Sequence, residues 1–201
     1  MQITNRAMIE LNDDYKKDLF GKYILNKNQI DDLVKKMVDK KIEINSKIRL
    51  VEFKGNSIVV VDYGHILDLD KLSMNTQRKL IAIFIKAIFH SFQIFTVDKI
   101  LVTTSHTGLR KLTNAVKEKD FGILLFSDSL VQTASFNHTK PDSKGRKMQY
   151  RYYDAYLSLD ASSVFSMQLN IRVDHMGAVI YDINKIKKSG WTIRLGKPVT
   201  L

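Results

Sequence analysis

In SVFSMQLNIRV, residues 163–173, the side chains Phe165, Met167, Leu169, Ile171 and Val173 alternate with Ser166, Gln168, Asn170 and Arg172. A period of two sends one set to each face of an extended chain, so this run is expected to be a half-buried antiparallel strand. A helix would scatter the five apolar side chains around its axis. Partners lie close in the chain. QYRYYDAYLSL precedes the run, DHMG turns the backbone, AVIYDI brings it back, and WTIRL offers a last short strand. A C-terminal β-meander follows.

Upstream the period changes to that of a helix. Ile30, Leu33, Val34, Met37 and Val38 recur at helical spacing, with Asn28 as an expected cap, Asp31 and Asp32 in the first turn, and Lys35, Lys36 and Lys40 opposite. TQRKLIAIFIKAIFHSF, opened by Ser73 or Asn75, is apolar on nearly every side and is expected to be the core helix. His90 near its end reads as a structural histidine. Between the two helices, Lys47–Phe53 and Ser57–Tyr63 flank Gly55-Asn56 as a hairpin. DKILVTT reads as a strand leading into a short helix capped by Ser105, and FGILLFSDSLVQTA fits either a helix or a strand. Residues 137–148 read as a loop. The expected fold is α+β, with helices packed on an antiparallel sheet. Residues 1–27 form an N-terminal arm and 28–201 a single domain.

With 32 Lys and Arg against 21 Asp and Glu, the chain carries a formal net charge of +11. Such a field favours nucleic acid, anionic lipid or an acidic protein. Lysine enrichment from an AT-rich coding source gives the same count without a ligand. The absence of cysteine excludes disulfides, thiolate zinc sites and a cysteine nucleophile. No run reaches the ~18–20 apolar residues of a membrane span, and Met1–Asp14 is polar. A soluble, cytoplasmic protein with no membrane partner is expected.

The order VTTSHTGLRKLT, SLVQTA, YRYYDAYLSL, MQLNIRVD and VIYDINKIKKSGW resembles a known family over about residues 98–195. It is similar to the domains of large polyvalent proteins of phages and mobile elements, which are grouped with barnase–EndoU–colicin–RelE-type nucleases. The resemblance implies a compact α+β fold and metal-independent RNA cleavage. Where those relatives commonly carry a histidine just before the tyrosine-rich strand, this chain has Arg151.

Cleavage without metal needs a base for the 2′-hydroxyl, an acid for the leaving oxygen and cations for the developing phosphorane charge. His106, between a strand and a helix, and His138, beside Lys140, are the candidate acid and base. Arg151 would clamp phosphate, and Tyr153, on the same strand face, would stack or shuttle a proton. Tyr150, Tyr152, Asp154 and Tyr156 share the opposite face, and periodicity leaves open which face meets the core. Candidate nucleic-acid contacts are Lys140, Lys144, Arg146, Lys147, Arg172, Lys187, Lys188 and Arg194. Each also reads as an ordinary solvated cation. His175 and Asp174 read as turn residues.

Acidic residues do not cluster as two-metal nucleases require, and no P-loop, dinucleotide, zincin or nucleophile-elbow motif occurs. No metal or cofactor is expected. The readings are a metal-independent RNase-like domain of phage or mobile-element origin, with RNA favoured as partner, or a non-catalytic basic module holding nucleic acid or an acidic protein, including in an anti-defence or structural role.

Overall fold

The computed structural model describes residues 9–45, 48–61, 66–117, 121–159 and 163–188. Their elements run α1 (Lys27–Asn45), β1 (Arg49–Phe53), β2 (Asn56–Val60), α2 (Met74–Ser91), β3 (Ile94–Phe95), β4 (Leu101–Thr103) and α3 (His106–Ala115). Two short helices, α4 (Phe121–Leu124) and α5 (Ser127–Thr133), precede β5 (Ser135–Pro141), β6 (Met148–Ser158), β7 (Val164–Asp174) and β8 (Gly177–Lys188). The fold is α+β, and the expected meander is β6–β7–β8, antiparallel throughout.

The eight strands form one sheet ordered β1-β2-β6-β7-β8-β4-β3, with β5 also on β6. Antiparallel pairs dominate, but two joins differ from a purely antiparallel sheet. β2 runs parallel to β6, and β4 parallel to β8, so the N-terminal half of the chain extends both sides of the meander. Eleven-residue β6 therefore carries two partners on one edge, β5 along 149–154 and β2 along 156–158.

β7 is a central strand. Met167, Leu169 and Ile171 enter the main core, but Gln168 and Asn170 on the other face are buried as well. Longer side chains on the flanking β6 and β8 cover these two, so the middle of the run is more buried than half-buried alternation implies, while Ser166 and Arg172 stay half-exposed.

Local chemistry explains the helix starts. Asn26 accepts from the Gln29 amide N–H at 3.0 Å while the Gln29 side chain accepts from Asn26 N–H at 2.8 Å, a reciprocal capping box that places the cap two residues before Asn28. Ser73 caps α2 and Ser105 caps α3, each accepting from the third residue of its helix. α2 buries Leu80, Ile81, Phe84, Ile85, Ile88 and Phe89, whereas His90 is exposed rather than structural. FGILLFSDSLVQTA resolves into α4 and α5, whose Phe121, Leu124, Leu130 and Val131 join the same core.

Three other regions depart from expectation. The described part of the arm is built into the core: Ile9, Tyr23 and Leu25 are buried, and Ile9 and Tyr23 bridge to Leu67 and Leu72. Residues 137–141 belong to strand β5, which leaves only 142–147 as the connection. The β1–β2 hairpin turns at Lys54-Gly55, both at positive φ as a type I′ turn demands. WTIRL, with Arg194, lies outside the described residues.

A buried ion pair ties α1 to α5. Lys41 is fully buried, its Nζ 3.1 Å from Asp128 Oδ1 and 4.2 Å from the centre of the Phe126 ring. Burial pushes the Lys41 ammonium below the ordinary lysine value, and the Asp128 carboxylate only partly opposes it.

Candidate nucleic-acid interface

The register of β5–β8 assigns every side chain of the tyrosine-rich strand to a face. Tyr153 opposes Leu169, and Arg151 opposes Ile171, so both belong to the core side. Tyr153 is 0% exposed. Its hydroxyl donates to Asp98 Oδ1 at 3.1 Å and accepts from Arg151 Nε at 3.0 Å, and Arg151 pairs directly with the Asp98 carboxylate. The guanidinium also stacks 4.6 Å from the centre of Phe136. Burial raises the Asp98 carboxyl, but hydrogen bonds from Thr96 and Tyr153 and the charge of Arg151 together outweigh it and hold it below the ordinary aspartate value. Arg151 and Tyr153 thus fasten the β3–β4 turn beneath the sheet. Their cationic and phenolic groups already have partners.

The opposite face is different in kind. Its rows follow from the pairing: Lys140–Tyr150–Arg172, then His138–Tyr152–Asn170–Asp182, then Asp154–Gln168–Asn184. A bulge between Phe136 and His138 turns Asn137 to this side too, where it donates to Asp154. His138 stacks on Tyr152 with ring centroids 4.6 Å apart and planes 9° from parallel, while its Nδ1 lies 2.8 Å from Asn137 Oδ1. Lys140 Nζ sits 5.5 Å from the same tyrosine ring. A second bulge in β8, between the Asn170 and Ile171 partners, accommodates Tyr181. Its ring packs against Tyr150 at 5.5 Å and meets Lys111 Nζ at 4.4 Å and the Arg172 guanidinium at 5.8 Å. Tyr150, Tyr152, Arg172, Tyr181, Asp182 and Asn184 are half-exposed, and the shorter Gln168 and Asn170 lie buried among them.

Toward the far end of β6, this face closes over a small apolar cluster. Ile58, Val60 and Val164 are buried there with Tyr156 against them. The open part is therefore bounded on one side by apolar packing and on the other by α3. Arg110, Lys111, Asn114 and Ala115 of α3 line, with Asp182, a cleft of about 460 Å³. Helix α3 approaches this closely because Gly108 lies against β8: a Cβ there would be 2.5 Å from the Ile180 carbonyl oxygen. Burial raises the Asp182 carboxyl above the ordinary value, opposed by the Asn184 hydrogen bond and the charge of Lys111.

The candidate cations separate by environment. Lys140 and Lys187 stand on the tyrosine face, the latter opposite Ser166. Arg172 joins them but also pairs with Asp174 at 3.3 Å. Arg146 is committed elsewhere: its Nε and Nη2 reach the two Asp142 oxygens at 3.0 and 2.8 Å. That fork, with the Lys144 and Arg146 backbone N–H groups, holds the Asp142 carboxyl far below the usual range and builds the 142–147 turn around Gly145 at φ 67°. Lys144, Lys147 and Lys188 are exposed, and Arg194 lies outside the described residues.

His106 is the exposed first residue of α3, separated from β5 by the strands β6, β7 and β8. His106, His138, Arg151 and Tyr153 are therefore not brought into one cleft: two sit on the core side, and the histidines stand at opposite margins. Sequence reasoning did not single out Asp98, Tyr181, Asp182 or Asn184. The usable signal was register, since pairing Tyr152 with Asn170 would have aligned Tyr181 and Asp182 with them. Among the described residues no group of three or more His, Cys, Asp or Glu is placed to hold a metal, and no helix is long and apolar enough to cross a membrane. No family model, curated protein or solved structure matches the chain.

Proposed function

We propose that this chain is a non-catalytic module that binds single-stranded RNA across the tyrosine face of its sheet. The observation that carries the reading is the grouping of Tyr150, Tyr152, Tyr181 and His138 on one half-exposed face, edged by Lys140, Arg172, Lys111 and Lys187. Half-exposed rings on a sheet, such as the His138–Tyr152 stack, offer bases a stacking platform, and cations along its margins follow the phosphates. The net charge of +11 adds a long-range attraction for any polyanion. RNA as ligand also accords with the resemblance to nuclease-group domains of phages and mobile elements, and implies work in the cytoplasm.

The cleaving alternative asks for an acid and a base on either side of one phosphate. His138 has no second imidazole beside it among the described residues, and the Arg151–Tyr153 pair faces away from it. This favours binding over cleavage.

Fluorescence anisotropy with labelled oligouridine in EDTA tests the reading. Binding should be saturable and weaken with salt at a slope of about −0.7 per phosphate contacted, with the oligomer intact after long incubation. Absence of binding at low salt would overturn it. Cut oligomer would restore the RNase reading instead.

A further inference from the structure

We propose that the cleft between α3 and β8 reads one base of the bound strand, and that this base is guanine. The inference rests on the RNA-binding reading and adds a specificity to it.

The floor of the cleft is Asp182, and unpaired acceptor oxygens stand on it and beside it. Asn170 and Asn184 adjoin Asp182 on β7 and β8. Asp182 Oδ1, Asn170 Oδ1 and Asn184 Oδ1 are all sequestered from solvent and unpaired, and Asn170 is only 8% exposed. The one bond within the group, from Asn184 Nδ2 to Asp182 Oδ2, is long at 3.5 Å. Buried acceptors that lack donors are costly, so a ligand that brings N–H groups gains what the protein does not supply. The carboxylate is decisive, because it accepts whichever way the neighbouring amides are turned.

Guanine meets this floor with more donors than any other base. Its N1–H and N2 amino group point the same way and match the two oxygens of one carboxylate, a contact that requires the Asp182 side chain to turn its sequestered Oδ1 into the cleft. Adenine and cytosine offer one amino group beside a ring nitrogen that is itself an acceptor and would face the carboxylate. Uracil offers a single N–H between two carbonyls. The walls suit the rest of a nucleotide. Arg110 and Lys111 are exposed cations above the floor, available to a phosphate, and Lys111 lies over the Tyr181 ring, which a base would stack on only by displacing it.

The test uses the full chain and labelled oligouridines carrying a single central guanine, adenine, cytosine or uracil. The guanine oligomer should bind about tenfold tighter than the other three, the order expected of one bidentate base contact. Asp182→Asn should bring the guanine oligomer down to the level of oligouridine, and the oligouridine affinity of that variant reports whether the face is intact. In the wild type, guanosine monophosphate should compete better than the adenosine, cytidine or uridine forms. Equal affinity for all four oligomers would overturn the base assignment and leave RNA binding standing. A guanine preference that survives Asp182→Asn would overturn the placement of the pocket. Failure of every oligomer to bind would overturn this inference together with the reading beneath it.

Discussion

His138 lies flat on Tyr152, 4.6 Å between ring centres, on the sheet face opposite to Tyr153. Neighbouring tyrosines on one strand thus hold different jobs: one faces a half-exposed polar surface, the next closes the core over Asp98. The division follows from pleating alone once the register with β7 is set.

If Tyr152 is a stacking platform, Tyr152→Ala should cost about 1–3 kcal/mol of RNA-binding free energy, the usual worth of one base–aromatic stack. Anisotropy titrations should show this as a fall in affinity with an unchanged salt slope, since no phosphate contact is lost. Lys140→Ala should do the reverse, flattening the slope by about one contact. An unaltered affinity in Tyr152→Ala would remove the tyrosine face from the binding surface.

Asp98 gives the contrasting prediction. Its carboxylate holds both Arg151 and the Tyr153 hydroxyl, so Asp98→Asn should destabilise the fold by about 1–3 kcal/mol in urea denaturation while RNA affinity stays unchanged. The pH dependence has a definite sign. A carboxyl held below its ordinary value stabilises the fold above the unfolded pKa of about 3.9 and loses that contribution as pH falls through the lower folded value. Wild type and Asp98→Asn should therefore converge in stability in acid. A gap that persists at low pH would mean that the carboxylate's charge is not what holds the turn.

The period-two run at 163–173 makes β7 legible, and with it the meander and the α+β class. β5 is not legible in the same way. SFNHTKP has no alternation because, at the margin of the sheet, it is largely exposed, and the bulge at Asn137 breaks what phase it has. Helix α1 could have been placed better, since Asn26 and Gln29 stand at capping-box spacing. The face assignment of Arg151 and Tyr153 could not, because tyrosines occupy both phases of QYRYYDAY and only long-range partners separate them. One of those partners, Asp98, lies 53 residues before Arg151. The acceptor floor at Asp182 needs two strands in register, and no local pattern announces it.

The Lys41–Asp128 pair separates the cost of burying charge from the value of pairing it. Removing one partner leaves the other uncompensated, so Asp128→Ala should cost about 3–5 kcal/mol. Replacing Lys41 by Met keeps the volume, and Asp128→Asn in the same chain removes the second charge. That double variant should be close to wild type or more stable by up to about 4 kcal/mol, as measured by chemical denaturation. A double variant as unstable as Asp128→Ala would show that the ion pair itself holds α1 against α5.

Gly108 couples stability to the proposed site. Its backbone lies so near β8 that a methyl group would come 2.5 Å from the Ile180 carbonyl oxygen, a main-chain atom that cannot swing aside. Gly108→Ala must therefore lift α3, and overpacking of this kind costs about 1–3 kcal/mol. The same shift carries Arg110 and Lys111 away from Asp182 and Tyr181. The variant should melt at a lower temperature and, at temperatures where it remains folded, lose any preference for a guanine-bearing oligomer while keeping contacts to the β5–β6 side of the face. Arg110→Ala, which leaves the helix seated, separates the two effects: it should lower affinity without lowering the melting temperature. Gly108→Ala at full stability would mean that α3 is not pinned by this contact, and the geometry of the cleft would then have to be set elsewhere along the α3–β8 seam.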